Sequence, residues 1–295
     1  MKIFFSNING FFIYLVIKFF FFLEKNVKKI RKIKFDRFSK DKEYQFYSHK
    51  NFHLILFAKD QYISRSTYIN GPYDFSLLKK SINYLPPTFA RHTLIDVGAN
   101  IGTVCIPAIL KKIFKECIAI EPNDKIYRIL KTNILINNCE NKIKHFNYCI
   151  SSKNNESLSF TINIKNFGDT RFIKNSMNDH KLKFPKNRVK KLDYFFNLVD
   201  PKKTLIKIDV QGFESNVIMG SKSFLNYRSP LLLELDPSSI LLKDFEKIFE
   251  LLKNNYQYYF DLDEKMSKKN NILELKNLFL FLRQTKKYKN ILIRA

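Results

Sequence analysis

The sequence predicts an α/β fold: a mostly parallel, twisted sheet with helices on both faces and an antiparallel C-terminal end. Three observations predict it. From residue 93 onward, short apolar runs alternate with stretches of helical spacing. One such run, LIDV, leads straight into a glycine-containing loop and then a helix. The antiparallel ending is read from the spacing of the last strands.

The elements follow in order. Alternation in HLILFAKDQYI predicts strand structure over 52–63, and Gly71-Pro72 a turn. Phe75–Leu85 has helical spacing and stops at Pro86-Pro87. Thr93–Val97 and Cys117–Ile120 read as buried strands, separated by a helix over Thr103–Phe114 and followed by one over Asp124–Asn137. Phe146–Ile150 reads as the third strand and Leu158–Ile164 as an alternating edge strand; the polar, aperiodic 165–187 reads as a loop or lid. Leu205–Ile208 is the fourth core strand, followed by a helix over Glu214–Leu225. Strand Leu231–Leu235, helix Leu241–Asn254 and strands Tyr256–Leu262 and Asn290–Arg294 complete the run. With no Gly/Ser/Pro-rich linker, 295 residues predict one main domain over 89–295, a strand-turn-helix decoration over 35–88, and an apolar/basic segment over 1–34.

The formal charge of +25 raises the prospect of a nucleic-acid partner, but lysine is spread through nearly every segment, so nucleic acid is disfavoured. The one dense basic run, Lys25 to Lys34, directly follows an apolar stretch, a placement suited to an anionic membrane surface. The apolar run Phe11–Ile17 is broken by Lys18 and resumes to Leu23, which predicts a helix in or against a membrane interface. A helix packed on the domain or on a second copy, and a single span with a cytoplasmic basic flank, stand as alternatives. Four cysteines without a CxxC pair predict small core residues in a reducing, cytoplasmic compartment, peripheral to a membrane's inner face if the N-terminal segment binds there. No metal site is predicted.

LIDVGANIG carries the cofactor chemistry. Gly98 permits the tight turn after the strand, and Gly102 lets the next helix pack closely. A pyrophosphate-binding loop has GxGxxG; here Asn100 interrupts that spacing, which predicts a nucleoside cofactor without a pyrophosphate. Glu121 ends the second strand, where a carboxylate can accept both ribose hydroxyls. Asp96 lies beside the loop and could hold a cofactor ammonium directly or through water. The arrangement is that of a Rossmann-like sheet.

LIDVGANIGTVCI followed by IAIEPN resembles the first two motifs of class I S-adenosylmethionine methyltransferases. LIKIDVQGFESNVIMGS and PLLLELDP resemble the FkbM-type family specifically, with YINGPYDF and VKKLDYFF in corresponding places. The resemblance covers roughly residues 60–295. It implies S-adenosyl-L-methionine as cofactor and a hydroxyl acceptor on a sugar, glycan or secondary metabolite. Through it, Tyr73 and Asp74 could also approach the cofactor or acceptor.

Methyl transfer to a hydroxyl needs alignment and removal of a proton. Asp209, ending the fourth strand, and Glu214, opening the next helix, are the catalytic candidates; either could instead bind the turn's own amides. Gln211 can orient a hydroxyl or the cofactor's amino-acid end, and Glu234 is a further acid at the same edge. His180 could be a base on the lid, or a surface residue. Two other functions stand beside O-methyl transfer: an RNA methyltransferase, and a non-catalytic membrane-tethered protein on the same fold.

Overall fold

In the computed structural model, residues 18–19, 22–37, 39–162, 170–174, 182–238 and 240–295 are described. The apolar run from Phe11 to Leu23 lies mostly outside them. Residues 22–37 form helix α1. An antiparallel hairpin follows, β1 (Tyr44–His49) against β2 (Phe52–Phe57). The expected strand over 52–63 ends at Phe57 because Asp60 accepts the amides of Tyr62 (3.0 Å) and Ser64 (2.8 Å) and so starts helix α2 (Ile63–Asn70). Helix α3 (Phe75–Ile82) comes next.

The two crossover units are β3 (Thr93–Val97), α4 (Cys105–Leu110), β4 (Glu116–Ile120), α5 (Asp124–Ile136) and β5 (Ile143–Phe146). The third main-sheet strand is therefore 143–146, not 146–150: Ile143 to Phe146 pair with Cys117 to Ile120, whereas β6 (Cys149–Ile150) leaves to pair with β10 (Val189–Lys190). β7 (Leu158–Ile162) is the middle of a separate sheet, between β8 (Thr170–Lys174) and β9 (Leu182–Phe184), rather than an edge strand. The expected loop at 165–187 thus contains two strands; residues 163–169 and 175–181, His180 among them, lie outside the described residues.

After β11 (Thr204–Ile208) the expected single helix is two, α6 (Glu214–Met219) and α7 (Lys222–Asn226). The second starts where Asp193 accepts the Ser223 amide at 3.0 Å. Then come β12 (Leu231–Leu235), α8 (Leu242–Asn255), β13 (Tyr258–Asp261), the short β14 (Lys269–Asn271), helix α9 (Leu275–Thr285), which the periodicity did not suggest, and β15 (Lys289–Arg294).

The main sheet has the order β14-β13-β15-β12-β11-β3-β4-β5. From β5 to β12 all pairs are parallel, and β15 runs antiparallel between β12 and β13. Period-2 alternation divides the core between the faces. Leu94, Cys117, Ile143 and Leu205 pack with α3, α4, α5 and the hairpin; Ile95, Ile118, Ile206 and Leu233 pack with α6 to α9. The hairpin is fastened by Asn133 and Asn137, one turn apart on α5, which bond the β2 backbone at Ile55 and His53. Among the described residues no helix is long and apolar enough to cross a membrane.

Candidate active site

Sequential connections go from β3 to β4 on one side and reach β11 on the other, so the strand order reverses at β3. A crevice opens at such a switch point, beyond the carboxyl ends of the strands. It holds a cavity of about 360 Å³. The loop after β3 forms one wall. Gly98 and Ala99 both donate to the Ile120 carbonyl (3.0 Å each), tying the loop to the neighbouring strand. Gly98 has φ +83°, and a Cβ there would stand 1.9 Å from the Asp209 carbonyl oxygen. Gly102 has φ +92°, and its missing Cβ leaves room for Ile106. Asn100 also takes a left-handed conformation (φ 50°), its side chain accepting the Ile101 amide at 2.8 Å.

Glu121 meets the loop from β4. One carboxylate oxygen accepts the Asn100 amide (3.0 Å) and the other the Asn123 amide (2.9 Å). Both oxygens are thereby fixed in place, and each keeps a lone pair for a further donor.

The opposite wall is acidic. Asp209 and Gln211 sit on the turn after β11, Glu234 on β12 and Asp74 before α3; all line the cavity with Tyr73 and Tyr288. Gln211 donates to Asp209 (3.0 Å) and reaches Glu234 (3.4 Å). Beneath them lies Lys207, a lysine on a buried strand, paired in register with Asp96 on β3. Its Nζ stands 3.4 Å from Asp209 Oδ2 and 3.5 Å from Asp96 Oδ1. Burial opposes the lysine's charge, but Asp209, Asp96 and Asp74 outweigh it and raise its pKa above the ordinary value.

Glu214 faces the other way. It is buried, and its Oε1 accepts the amides of Val210 and Gly212 at 3.1 Å each, closing the turn in which Gln211 and Gly212 have positive φ.

Of the residues expected from sequence, Gly98, Asn100, Glu121, Asp209 and Gln211 come together on the cavity wall. Asp96, Gly102 and Glu214 lie outside the lining and support it from behind. Lys207 was missed although its signal was present: a lysine interrupts the otherwise apolar strand TLIKI. Tyr288 and Asn290 carried no signal; they reach the site because antiparallel β15 begins where the parallel strands end. Among the described residues, no group of three or more His, Cys, Asp or Glu is placed to hold a metal.

Burial pushes the Asp74 carboxyl up to about 7, Glu121 and Glu214 up to about 7, and Glu234 up to about 8, with neighbouring carboxylates adding to the shifts. The unfolded chain releases these protons at the ordinary 3.8 to 4.5. Through the window from there to about 8 the native state binds more protons than the unfolded one, so stability falls as pH rises. Lys207 stays charged throughout. The melting midpoint of cofactor-free protein is expected to fall between about pH 5 and 8, with Glu234→Gln flattening the fall. A midpoint that rises across that range in thermal melts would contradict it.

Fold and site together are those of a nucleoside-cofactor class, built on an open, mostly parallel sheet with acids along one wall of the crevice. Residues 96–261, more than half of the chain, match the Methyltransferase FkbM domain. The chain belongs to the FkbM methyltransferase family and is an S-adenosylmethionine-dependent methyltransferase. No curated protein matches it significantly. Similar solved structures include M. jannaschii TYW2 in complex with AdoMet (12% identity, 87% of this chain and 89% of that one, TM-score 0.43). Precorrin-6y C5,15-methyltransferase from Geobacter metallireducens GS-15 is similar at 12% identity, over 75% of this chain and 87% of that one, with TM-score 0.37. StiE O-MT residues 961–1257 is similar at 12% identity, over 74% and 71%, with TM-score 0.39.

The cavity has the donor set the cofactor needs: the Glu121 carboxylate on its wall is held by two backbone amides with acceptor capacity to spare, and the bare Gly98 lets the Asp209 turn close against the glycine loop.

Proposed function

We propose that this methyltransferase acts on a hydroxyl oxygen of a sugar, glycan or secondary metabolite, with Asp209 accepting the hydroxyl proton. The observation that carries this reading is the makeup of the acceptor wall. Asp74, Asp209 and Glu234 accept hydrogen bonds from hydroxyls, and the rings of Tyr73 and Tyr288 offer apolar faces to the C–H side of a sugar. Among the described residues the only lysine or arginine on the lining, Lys207, is already paired with Asp209 and Asp96, so the wall offers a phosphodiester no free cation, which counts against RNA despite the charge of +25.

Glu121 would hold the ribose diol of S-adenosylmethionine, and the Gly98–Asn100 backbone its flank. When bound, the cofactor supplies a methyl group already activated on a sulfonium, so the chain's own task is alignment and proton removal. Gln211 orients the Asp209 carboxylate through its 3.0 Å hydrogen bond and is placed to reach either the acceptor or the cofactor's amino-acid end. Lys207 holds Asp209 from below while neutralising Asp96. Asp96, Gly102 and Glu214 act by positioning these groups, without touching substrate. An acceptor assembled at a membrane, with the enzyme peripheral to the inner face, belongs to the same reading; the basic, apolar N-terminal segment supports it.

Calorimetry should detect S-adenosylmethionine binding. With labelled cofactor and cell-envelope extract, label should enter a carbohydrate or small-molecule fraction as an ether that survives ribonuclease. Label released by ribonuclease would install the RNA reading, and no turnover on any fraction with intact cofactor binding would favour a non-catalytic role.

A further inference from the structure

We infer that helix α1 is a docking surface for an anionic lipid bilayer, which it meets through Phe22, Leu23, Val27, Ile30 and Ile33. This deepens the peripheral placement proposed above. Its observations are separate from the acceptor chemistry.

The helix has two distinct faces. On one, Phe35 is fully buried and packs on Tyr68 (centroids 5.6 Å apart), and Arg31 donates to the Ile69 carbonyl. Gln45 donates to the Phe35 carbonyl at 3.1 Å, and Arg65 grips both oxygens of Asp36 at 2.9 and 3.1 Å. These contacts bind the last two turns to α2 and the hairpin. At about 100° per residue, Phe22, Ile33, Ile30, Leu23 and Val27 fall on a different arc, roughly 140° wide. The protein leaves that arc open: Phe22 is 63% exposed, Ile33 58% and Ile30 55%.

Charge selects the occupant. Lys29 borders the arc on one side, with Lys25 and Lys32 further round on that side, while Lys34 and Arg37 fall within it at the helix's C-terminal end. Glu24 is the one acid between residues 18 and 35, and it is paired with Lys28 at 2.8 Å. Five apolar side chains bordered by a lysine row and interspersed with Lys34 and Arg37 match the boundary between acyl chains and anionic headgroups. A second copy of this surface would bring its lysines against these. The bilayer contact also bears on the site, because α2, to which α1 is fastened, contributes Ile63 of its first turn to the cavity wall.

The test uses the full chain with vesicles of phosphatidylcholine mixed with phosphatidylglycerol, beside phosphatidylcholine alone. Co-sedimentation is expected with the mixed vesicles, weakening several-fold at high salt. The triple variant Phe22→Ser, Ile30→Ser, Ile33→Ser is expected to lose about a hundred-fold or more in partitioning. Its S-adenosylmethionine affinity should match the parent's, which reports an intact fold independently. Binding unaffected by the triple change, or equal on neutral and anionic vesicles, would overturn the inference. So would a dimer in light scattering, without lipid, that the triple variant dissociates.

Discussion

Asp209→Asn is expected to lower turnover by about two to four orders of magnitude, the usual worth of a positioned proton acceptor. Affinity for S-adenosylmethionine should stay within a few-fold. The asparagine keeps the shape of the side chain and loses its charge and half its acceptor capacity. Its neighbours make the loss specific: Lys207 Nζ at 3.4 Å and Gln211 Nε2 at 3.0 Å are both donors aimed at the carboxylate, and an amide cannot satisfy both. Single-turnover transfer of labelled methyl measures the chemical step, and calorimetry the binding. Glu214→Gln is the companion. Glutamine retains an oxygen for the Val210 and Gly212 amides, so turnover should fall only a few-fold. Equal losses in the two variants would return Glu214 to the chemistry and defeat the assignment of Asp209 alone.

Gly98→Ala is expected to weaken cofactor binding about ten- to hundred-fold and to lower the melting midpoint by several degrees. Two costs combine. An L-residue at φ +83° is strained, and the new methyl would overlap the Asp209 carbonyl, its oxygen 1.9 Å away. Backbone cannot swing aside as a side chain would, so the turn carrying Asp209 and Gln211 must shift. Gly71→Ala provides the control. Gly71 also has positive φ (+96°, with ψ −177°) and nothing within 4 Å of the place a methyl would take, so backbone strain alone should cost about 1–3 kcal/mol there. If the two substitutions proved equal in thermal melts and calorimetry, the close approach of the two loops would not matter.

The contrast between these residues explains how far the chain could be read in advance. The placement of Gly98, Asn100 and Glu121 at the crevice was legible because what sets it is local: a turn after a strand, a left-handed residue, an acid at the next strand's end. Asp209 and Gln211 were recognisable for the same reason. For Glu214 the sequence left two placements open, because a first-turn carboxylate looks alike whether it faces a cavity or its own turn. Only its bonds to Val210 and Gly212 separate the two. The run at 214–225 was periodic throughout, yet Asp193, far away in sequence, accepts the Ser223 amide and begins a second helix.

Hydrophobic periodicity and the two glycine-containing turns were enough to predict the alternating α/β fold, the turn after β3 and the acids at the strand ends, because each depends on neighbours within a few residues. Pairing was decided only in three dimensions. Strand order put β11 beside β3, and with it Lys207 beside Asp96 and the Asp209 carbonyl against Gly98. The reversed direction of β15 brought Tyr288 to the acceptor wall. These contacts join residues more than a hundred positions apart or depend on a strand's direction, and no local pattern encodes either one.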